Sequence, residues 1–289
     1  MTKLAGRVAV ITGGGRGIGE AIALEFASAG ASLVLASRTE SELERVAERC
    51  RASGAECSTW VTDVSDLDAV RRLMAHALDR FHRIDILVNA AGVYGPIGLI
   101  ADIDPEPWVK ALHVNLLGTF YACQAALPTM IAQRAGKIIN FSGGGATSPL
   151  PSFSAYGVSK AAVVRFTETL AEEVREYGIA VNSIAPGAVD TRLQDAVLEA
   201  GDQAGPLYSR IRALRESGEG GTPVDLPAKL ALFLASDDSL GLTGRLISAP
   251  HDPWQEWDTG RLKALDGTPW YTLRRIDPFT IGPIQGKTP

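Results

Sequence analysis

A chain of 289 residues, 46% of them hydrophobic, can enclose a continuous core as one large α/β domain or two small ones. Its 28 basic and 33 acidic residues leave a net charge of −5, which argues against a nucleic-acid partner. Cys50, Cys57 and Cys123 are odd in number and unpaired in spacing, and His76, His82, His113 and His251 are scattered, so no disulfide framework and no metal site is legible.

The opening residues, Met1 to Arg7, run straight into an apolar stretch without a leader pattern, and no run is long enough to span a bilayer. The expectation is a cytoplasmic protein with no membrane partner. The apolar run from Val8 reads as a strand buried on both faces; it breaks into Gly13, Gly14, Gly15, Gly17 and Gly19, then continues through Ala21, Ile22, Leu24 and Phe26 at helical spacing. Glycines let a backbone approach a ligand closely, and the free N–H groups and dipole of a new helix favour a phosphate. The implied ligand is a nucleotide.

Ala31 to Ala36 reads as a second strand and Ser41 to Ala52 as a helix with Leu43, Val46 and Ala47 inward. A short strand at Cys57 to Val61 precedes Asp63-Val64, after which Ser65 is placed to cap a helix carrying Leu67, Val70, Leu73, Met74 and Leu78. Ile84 to Val88 forms the fourth strand and ends in Asn89-Ala90-Ala91-Gly92. A proline-punctuated loop follows, then a helix from Trp108 to Gln133 and a fifth strand, Lys137 to Phe141, ending in Ser142-Gly143-Gly144-Gly145. A long helix from Tyr156 to Tyr177 and a sixth strand, Ile179 to Ile184, complete the run. Alternating β and α units with short buried strands predict a parallel sheet with helices on both faces: a doubly wound, three-layer α/β Rossmann domain over residues 1–250.

Between Asp190 and Gly221 the pattern turns polar and helical, either a lid hinged at Ser217-Gly218-Glu219-Gly220-Gly221 or an ordinary surface excursion. A helix over Asp225 to Ser236 and a last strand, Gly244 to Ala249, follow. From 251 to 289, Trp254, Trp257, Trp270, Tyr271 and Phe279 predict an ordered extension packed on the domain or on a neighbouring subunit. It serves there either as a clamp or, through Trp270-Tyr271 or Arg274-Arg275, as part of an active-site rim.

Tyr156 and Lys160 lie on one helical face at i, i+4, so the ammonium is expected to favour the ionised phenol. A phenol titrates near ~10, and such a neighbour lets it serve as an acid or base closer to neutrality. Thr12-Gly13-x-x-x-Gly17-Ile18-Gly19, Asp63-Val64, Asn89-Ala90-Ala91-Gly92, Asn115, Tyr156-x-x-x-Lys160 and Pro186-Gly187-x-x-x-Thr191 stand in the order and approximate spacing of the short-chain dehydrogenase/reductase family, which the chain resembles over about residues 4 to 247.

The resemblance implies an oxidoreductase acting on a small-molecule carbonyl or secondary alcohol. Tyr156 would exchange the proton, Lys160 would hold the nicotinamide ribose, and Asn115 would sit in a helix irregularity with a water. Gly13, Gly15, Arg16, Gly17, Ile18 and Gly19 would cradle the phosphates. Asp63 and Val64 would flank the adenine, and Asn89 to Gly92 would brace the sheet behind the cofactor. Val189 and Thr191 would bind the carboxamide, with Pro186 and Gly187 also at the cofactor. A homo-oligomer, tetramer or dimer, is also implied. Two alternatives stay open: a cofactor-binding protein with little turnover, and an epimerase or dehydratase.

Two positions depart from the pattern. An acidic residue is absent where the second strand ends; Ser37-Arg38 stands there with Arg16 nearby, which favours NADP(H) while leaving NAD(H) possible. The substrate-binding serine is replaced by Gly143, with Ser142, Ser148 and Ser154 as candidate substitutes. A serine restored at 143 is expected to raise activity.

Overall fold

Period-two alternation splits the strands' side chains between two apolar layers. Ala9 and Ile11 of β1 (Val8–Thr12) join one cluster and Val10 the other; in β2 (Ser32–Ser37), Leu33 and Leu35 face the first and Val34 and Ala36 the second. The structure, a computed structural model, describes residues 2–217 and 221–276. Its remaining strands are β3 (Cys57–Val61), β4 (Ile86–Asn89), β5 (Gly136–Phe141), β6 (Ile179–Ala185) and β7 (Leu246–Ser248). All seven run parallel in the order β3-β2-β1-β4-β5-β6-β7.

On one face lie α1 (Gly17–Ser28), α2 (Glu40–Ala52) and α9 (Asp225–Ala235); on the other lie α3 (Leu67–Phe81), α5 (Gly118–Gln133) and α6 (Ser154–Glu173). This is the predicted doubly wound Rossmann sandwich. Its strand order changes direction between β1 and β4, the crevice where such sheets place ligands.

Local details differ from the sequence expectations. Asp66, not Ser65, caps α3: its carboxylate accepts from the N–H groups of Asp68 and Ala69, while Asp63 takes the N–H and hydroxyl of Ser65. The helix expected from Trp108 begins earlier as α4 (Pro105–Leu112), because Asp104 caps it ahead of a proline in its first turn. A π-helical turn, His113–Leu117, then separates it from α5. Similarly α6 starts at Ser154 and gives way to a 3-10 turn at Arg175–Tyr177, while β4 and β7 are shorter than expected.

The stretch after β6 folds as a 3-10 turn (Arg192–Gln194), α7 (Asp195–Ala200), a second 3-10 turn (Gly201–Ala204) and α8 (Pro206–Ser217). Of the expected hinge, residues 218–220 lie outside the described residues, as does Phe279.

Beyond β7, Trp254 and Trp257 are buried and stand 5.9 and 6.5 Å, ring to ring, from Phe233 of α9. Leu262 and Leu265 of α10 (Thr259–Leu265) join the same cluster. Arg245 is buried beneath this segment and donates to the carbonyls of Leu265, Thr268 and Trp270. The N–H of Leu246 donates to the carbonyl of Tyr271 at 2.7 Å.

Candidate active site

At the carboxyl ends of the strands opens a cleft of about 1360 Å³. Every residue expected at the site lines it except Asn89 and Asn115. The glycine loop forms one wall, and two of its glycines are required by close approach. A Cβ on Gly13 would stand 2.7 Å from the backbone nitrogen of Ala91, and one on Gly19 2.2 Å from the carbonyl oxygen of Gly13. Because no side chain caps α1 at Arg16, its first-turn N–H groups are left for an anion. Ser37 and Arg38 close this end of the cleft, with Asp63 within electrostatic reach of Arg38.

The two residues outside the lining act from behind it. Asn89 is buried and donates to Oδ1 of Asn140 at 2.9 Å, whose own amide donates to Thr167 of α6 at 2.9 Å. Asn115 sits within the π-helical turn and grips the backbone of Val93 at both ends, accepting from its N–H at 2.9 Å and donating to its carbonyl at 2.8 Å. It also donates to Ser159 at 2.9 Å. The turn therefore fixes the strand-end loop against α6.

Tyr156 and Lys160, one turn apart on α6, are both buried at the cleft floor. Lys160 Nζ donates to the carbonyl of Phe141 at 2.8 Å and stands 5.6 Å from the centroid of the Tyr156 ring. Burial holds the ammonium down to about 8 and pushes the phenol above its usual range, with Tyr94 adding to the rise. This corrects the expectation from spacing: desolvation outweighs the neighbouring cation, and the phenol is held protonated.

Gly143 carries a second correction. A Cβ built there would lie 2.2 Å from Tyr156 Oη and 2.8 Å from Cζ. The tyrosine leans into the space a serine would need, so restoring a serine obstructs the phenol in this arrangement. Among the candidate substitutes only Ser142 lines the cleft; its Oγ is buried and has no hydrogen-bond partner among the described residues. Ser148 is exposed, and Ser154 accepts from the indole of Trp108 at 3.0 Å.

Sequence reasoning missed Tyr94 and Gln194. The Tyr94 ring meets Tyr156 edge to face at 4.6 Å and Phe153 at 5.2 Å, and its hydroxyl donates to Gln194 Oε1 at 3.1 Å. Burial lifts its phenol to about 12. Val197, Ala204, Ile211 and Leu214 pack with these rings, so the stretch after β6 turns an apolar side toward the site. The only signal in the sequence was an aromatic residue just beyond Gly92.

Among the described residues after Pro250 only His251 lines this cleft, whereas Trp270 and Tyr271 pack against the core and Arg274 pairs with Glu168 at 3.2 Å. For this subunit's own site the rim reading is overturned.

A parallel Rossmann sheet, a glycine loop feeding an uncapped helix N-terminus and a buried Tyr-x-x-x-Lys pair define a nicotinamide-dependent oxidoreductase. The short chain dehydrogenase family model matches residues 7–201, and the chain belongs to that family. It is 33% identical to the 3-oxoacyl-acyl-carrier-protein reductase FabG of Thermotoga maritima over 85% of this chain and 96% of that one. With the oxidoreductase UcpA of Salmonella typhimurium it shares 37% identity over 84% and 93%. Among solved structures, an NAD+-bound xylitol dehydrogenase aligns with a TM-score of 0.79 at 30% identity, covering 85% of this chain and 98% of that one. An actinorhodin polyketide ketoreductase with NADPH aligns at 0.77 and 27%, covering 84% and 95%. Among the described residues no helix is long and apolar enough to cross a membrane.

Proposed function

We propose that the protein moves hydride between NADP(H) and a carbonyl or secondary alcohol of a small molecule, with Tyr156 exchanging the proton at the substrate oxygen. The observation that carries this reading is the burial of Tyr156 beside Lys160 on the floor of a cleft whose far end is cationic. The residues present fit a dinucleotide: the glycine approaches leave a cradle that a Cβ would fill, and α1 offers unpaired N–H groups. The nicotinamide supplies the hydride.

The protonated phenol of Tyr156 suits the reductive direction, in which it donates to the developing alkoxide. Lys160 holds the cofactor's ribose, and Asn115 keeps the loop at Val93 in register with α6. Arg16, Ser37 and Arg38 receive the 2′-phosphate, since guanidinium groups grip phosphate oxygens in pairs. Asp63 and Val64 flank the adenine; Val189 and Thr191 bind the carboxamide, with Pro186 and Gly187 also at the cofactor. The stretch over residues 190–217, polar in overall sequence but apolar on the side that meets the site, acts as a lid on the substrate. Titration with NADP(H) and NAD(H), then a scan of ketones and alcohols by nicotinamide absorbance, tests the reading. Tighter NAD(H) overturns the preference, and no turnover across the scan overturns the chemistry.

Gly143 and the partnerless hydroxyl of Ser142 favour one second reading, a cofactor-binding protein with little turnover, which the same scan separates. We further propose a homo-oligomer, a tetramer or a dimer, built on α4 to α6. Val109, Phe120 and Val158 are exposed there, and Phe120 meets Phe166 edge to face at 6.0 Å. Light scattering that returns a 30.6 kDa particle at low concentration overturns the assembly.

A further inference from the structure

Five cations, Arg16, Arg38, Arg45, Arg49 and Arg192, crowd the adenosine end of the cleft, and the carboxylates of Glu20 and Glu42 are placed differently among them. Glu20, on α1, is taken by Arg45 and Arg49 of α2, so these two guanidiniums are occupied in tying helix to helix. Glu42, in the first turn of α2, stands beside the glycine loop: a Cβ on Gly15 would lie 3.2 Å from its Cβ. Its Oε1 is 3.5 Å from Arg16 Nη1 and 2.7 Å from Arg192 Nη1. Arg192 belongs to the turn that begins the stretch covering the site, and the pair therefore crosses the cleft mouth from α2 to the base of that stretch. Thr191 beside it presses on the loop, with its Cγ2 3.2 Å from where a Cβ of Gly17 would stand. Arg215 of α8 holds the same base from within, bonding to Asp190 at 2.9 Å and Asp195 at 2.6 Å. Arg38 makes no ion pair among the described residues.

We propose that Glu42 is a built-in competitor for the cofactor's 2′-phosphate and sets how far the chain distinguishes the phosphorylated from the unphosphorylated dinucleotide. Its carboxylate presents to Arg16 and Arg192 the same anionic oxygen chemistry that a phosphate monoester brings. A 2′-phosphate entering beside Ser37 and Arg38 displaces Glu42 from Arg16, and Arg192 exchanges its carboxylate for the phosphate. A nucleotide lacking that phosphate leaves the Glu42 to Arg192 clasp intact. The exchange swaps one half-exposed ion pair for another, so its effect is modest, about fivefold in relative affinity and largest at low salt. This inference rests on assigning this end of the cleft to the cofactor's adenosine.

The test uses adenosine 2′,5′-bisphosphate and adenosine 5′-monophosphate, which differ by the 2′-phosphate alone and carry no nicotinamide, so calorimetric binding is read without turnover. Glu42→Gln keeps the shape and removes the charge. The ratio of the two dissociation constants shifts about fivefold toward the bisphosphate in Glu42→Gln, Arg192→Met lowers that gain in the double variant to the part carried by Arg16, and raised salt flattens the difference. A ratio unchanged by Glu42→Gln, or a gain undiminished by Arg192→Met, overturns the proposal. The wild-type ratio separately decides the NADP(H) reading: a value near one overturns that preference, whereas the shift on removing Glu42 still decides the competitor. Unchanged melting temperatures confirm that the substitutions leave the fold intact.

Discussion

The two halves of the cleft are built on different terms. On the cofactor side, backbone is pressed against backbone: Gly13 against Ala91, Gly19 against Gly13, with hardly any room for a side chain. On the substrate side the contacts are made by side chains from distant parts of the sequence, Tyr94 on Tyr156, Gln194 on Tyr94, Ile211 and Leu214 on the same cluster. A surface defined by backbone proximity admits only glycine and so advertises itself in sequence, whereas one defined by side-chain packing admits many residue types and leaves no fixed signature.

The sharpest break in that comparison is chemical. Tyr156→Phe removes the proton and little else, so turnover falls by ~10²–10⁴-fold while cofactor affinity changes less than about twofold. Stopped-flow reduction and fluorescence titration check both arms, and an unchanged rate removes Tyr156 from the chemistry. Next comes Gly143→Ser, a substrate-side glycine crowded by the side chain of Tyr156. Its Cβ forces the Tyr156 ring aside, and kcat toward a simple ketone falls by about tenfold, within the range for a displaced catalytic group. A rise shows instead that the ring yields readily.

Lys160 gives a pH test between the halves. Burial holds its pKa near 8 against an ordinary 10.5, so the ammonium is charged below about pH 8 and neutral above it. By linkage, the unfolded chain keeps a proton between those two values that the folded chain has lost, so this group opposes folding below about pH 8 and that opposition is relieved as pH rises toward 10.5. Cofactor affinity runs the other way, weakening severalfold from pH 7 to 9 as the charge is lost. Lys160→Met binds more weakly at pH 7 and shows a flattened profile; a profile as steep as wild type places the titrating group elsewhere. The smallest effect belongs to the tail. Arg274→Ala leaves KM within about twofold, because Arg274 pairs with Glu168 away from the cleft and Glu168 keeps Arg165. A large rise in KM means that the segment meets an active site, on this subunit or a neighbour.

The same contrast explains what could be read before the structure. Strand order, helix faces and the cofactor wall follow from period-two and period-3.6 patterns and from glycines that nothing larger can replace. The position of Asn115 in a helix irregularity was available only through resemblance, since no local preference of His113 to Leu117 announces a π-helical turn. The interval Tyr156 to Lys160 correctly placed two side chains on one helical face but misled on electrostatics: spacing reports neighbours, not desolvation. Glu42 and Arg192 lie 150 positions apart in sequence, and their ion pair is visible only once α2 and the turn after β6 are folded together.

The segment after β7 has a consequence for how the chain comes into being. Trp254, Trp257, Leu262 and Leu265 complete the apolar layer under α1, α2 and α9, and Leu246 pairs its N–H with Tyr271, covering the edge that the sheet's terminal strand would otherwise expose. Synthesis proceeds from the N-terminus at ~5–20 residues per second, so β7 is made roughly one to five seconds before the residues that cover it. During that interval β7 lacks its covering and is open to pairing with a second nascent chain, and Arg245 lacks the carbonyls that hold it in the folded protein. A polar charge waiting beside an unfinished strand discourages such pairing, and when residues 265–270 arrive it changes occupation from guard to anchor by taking their carbonyls.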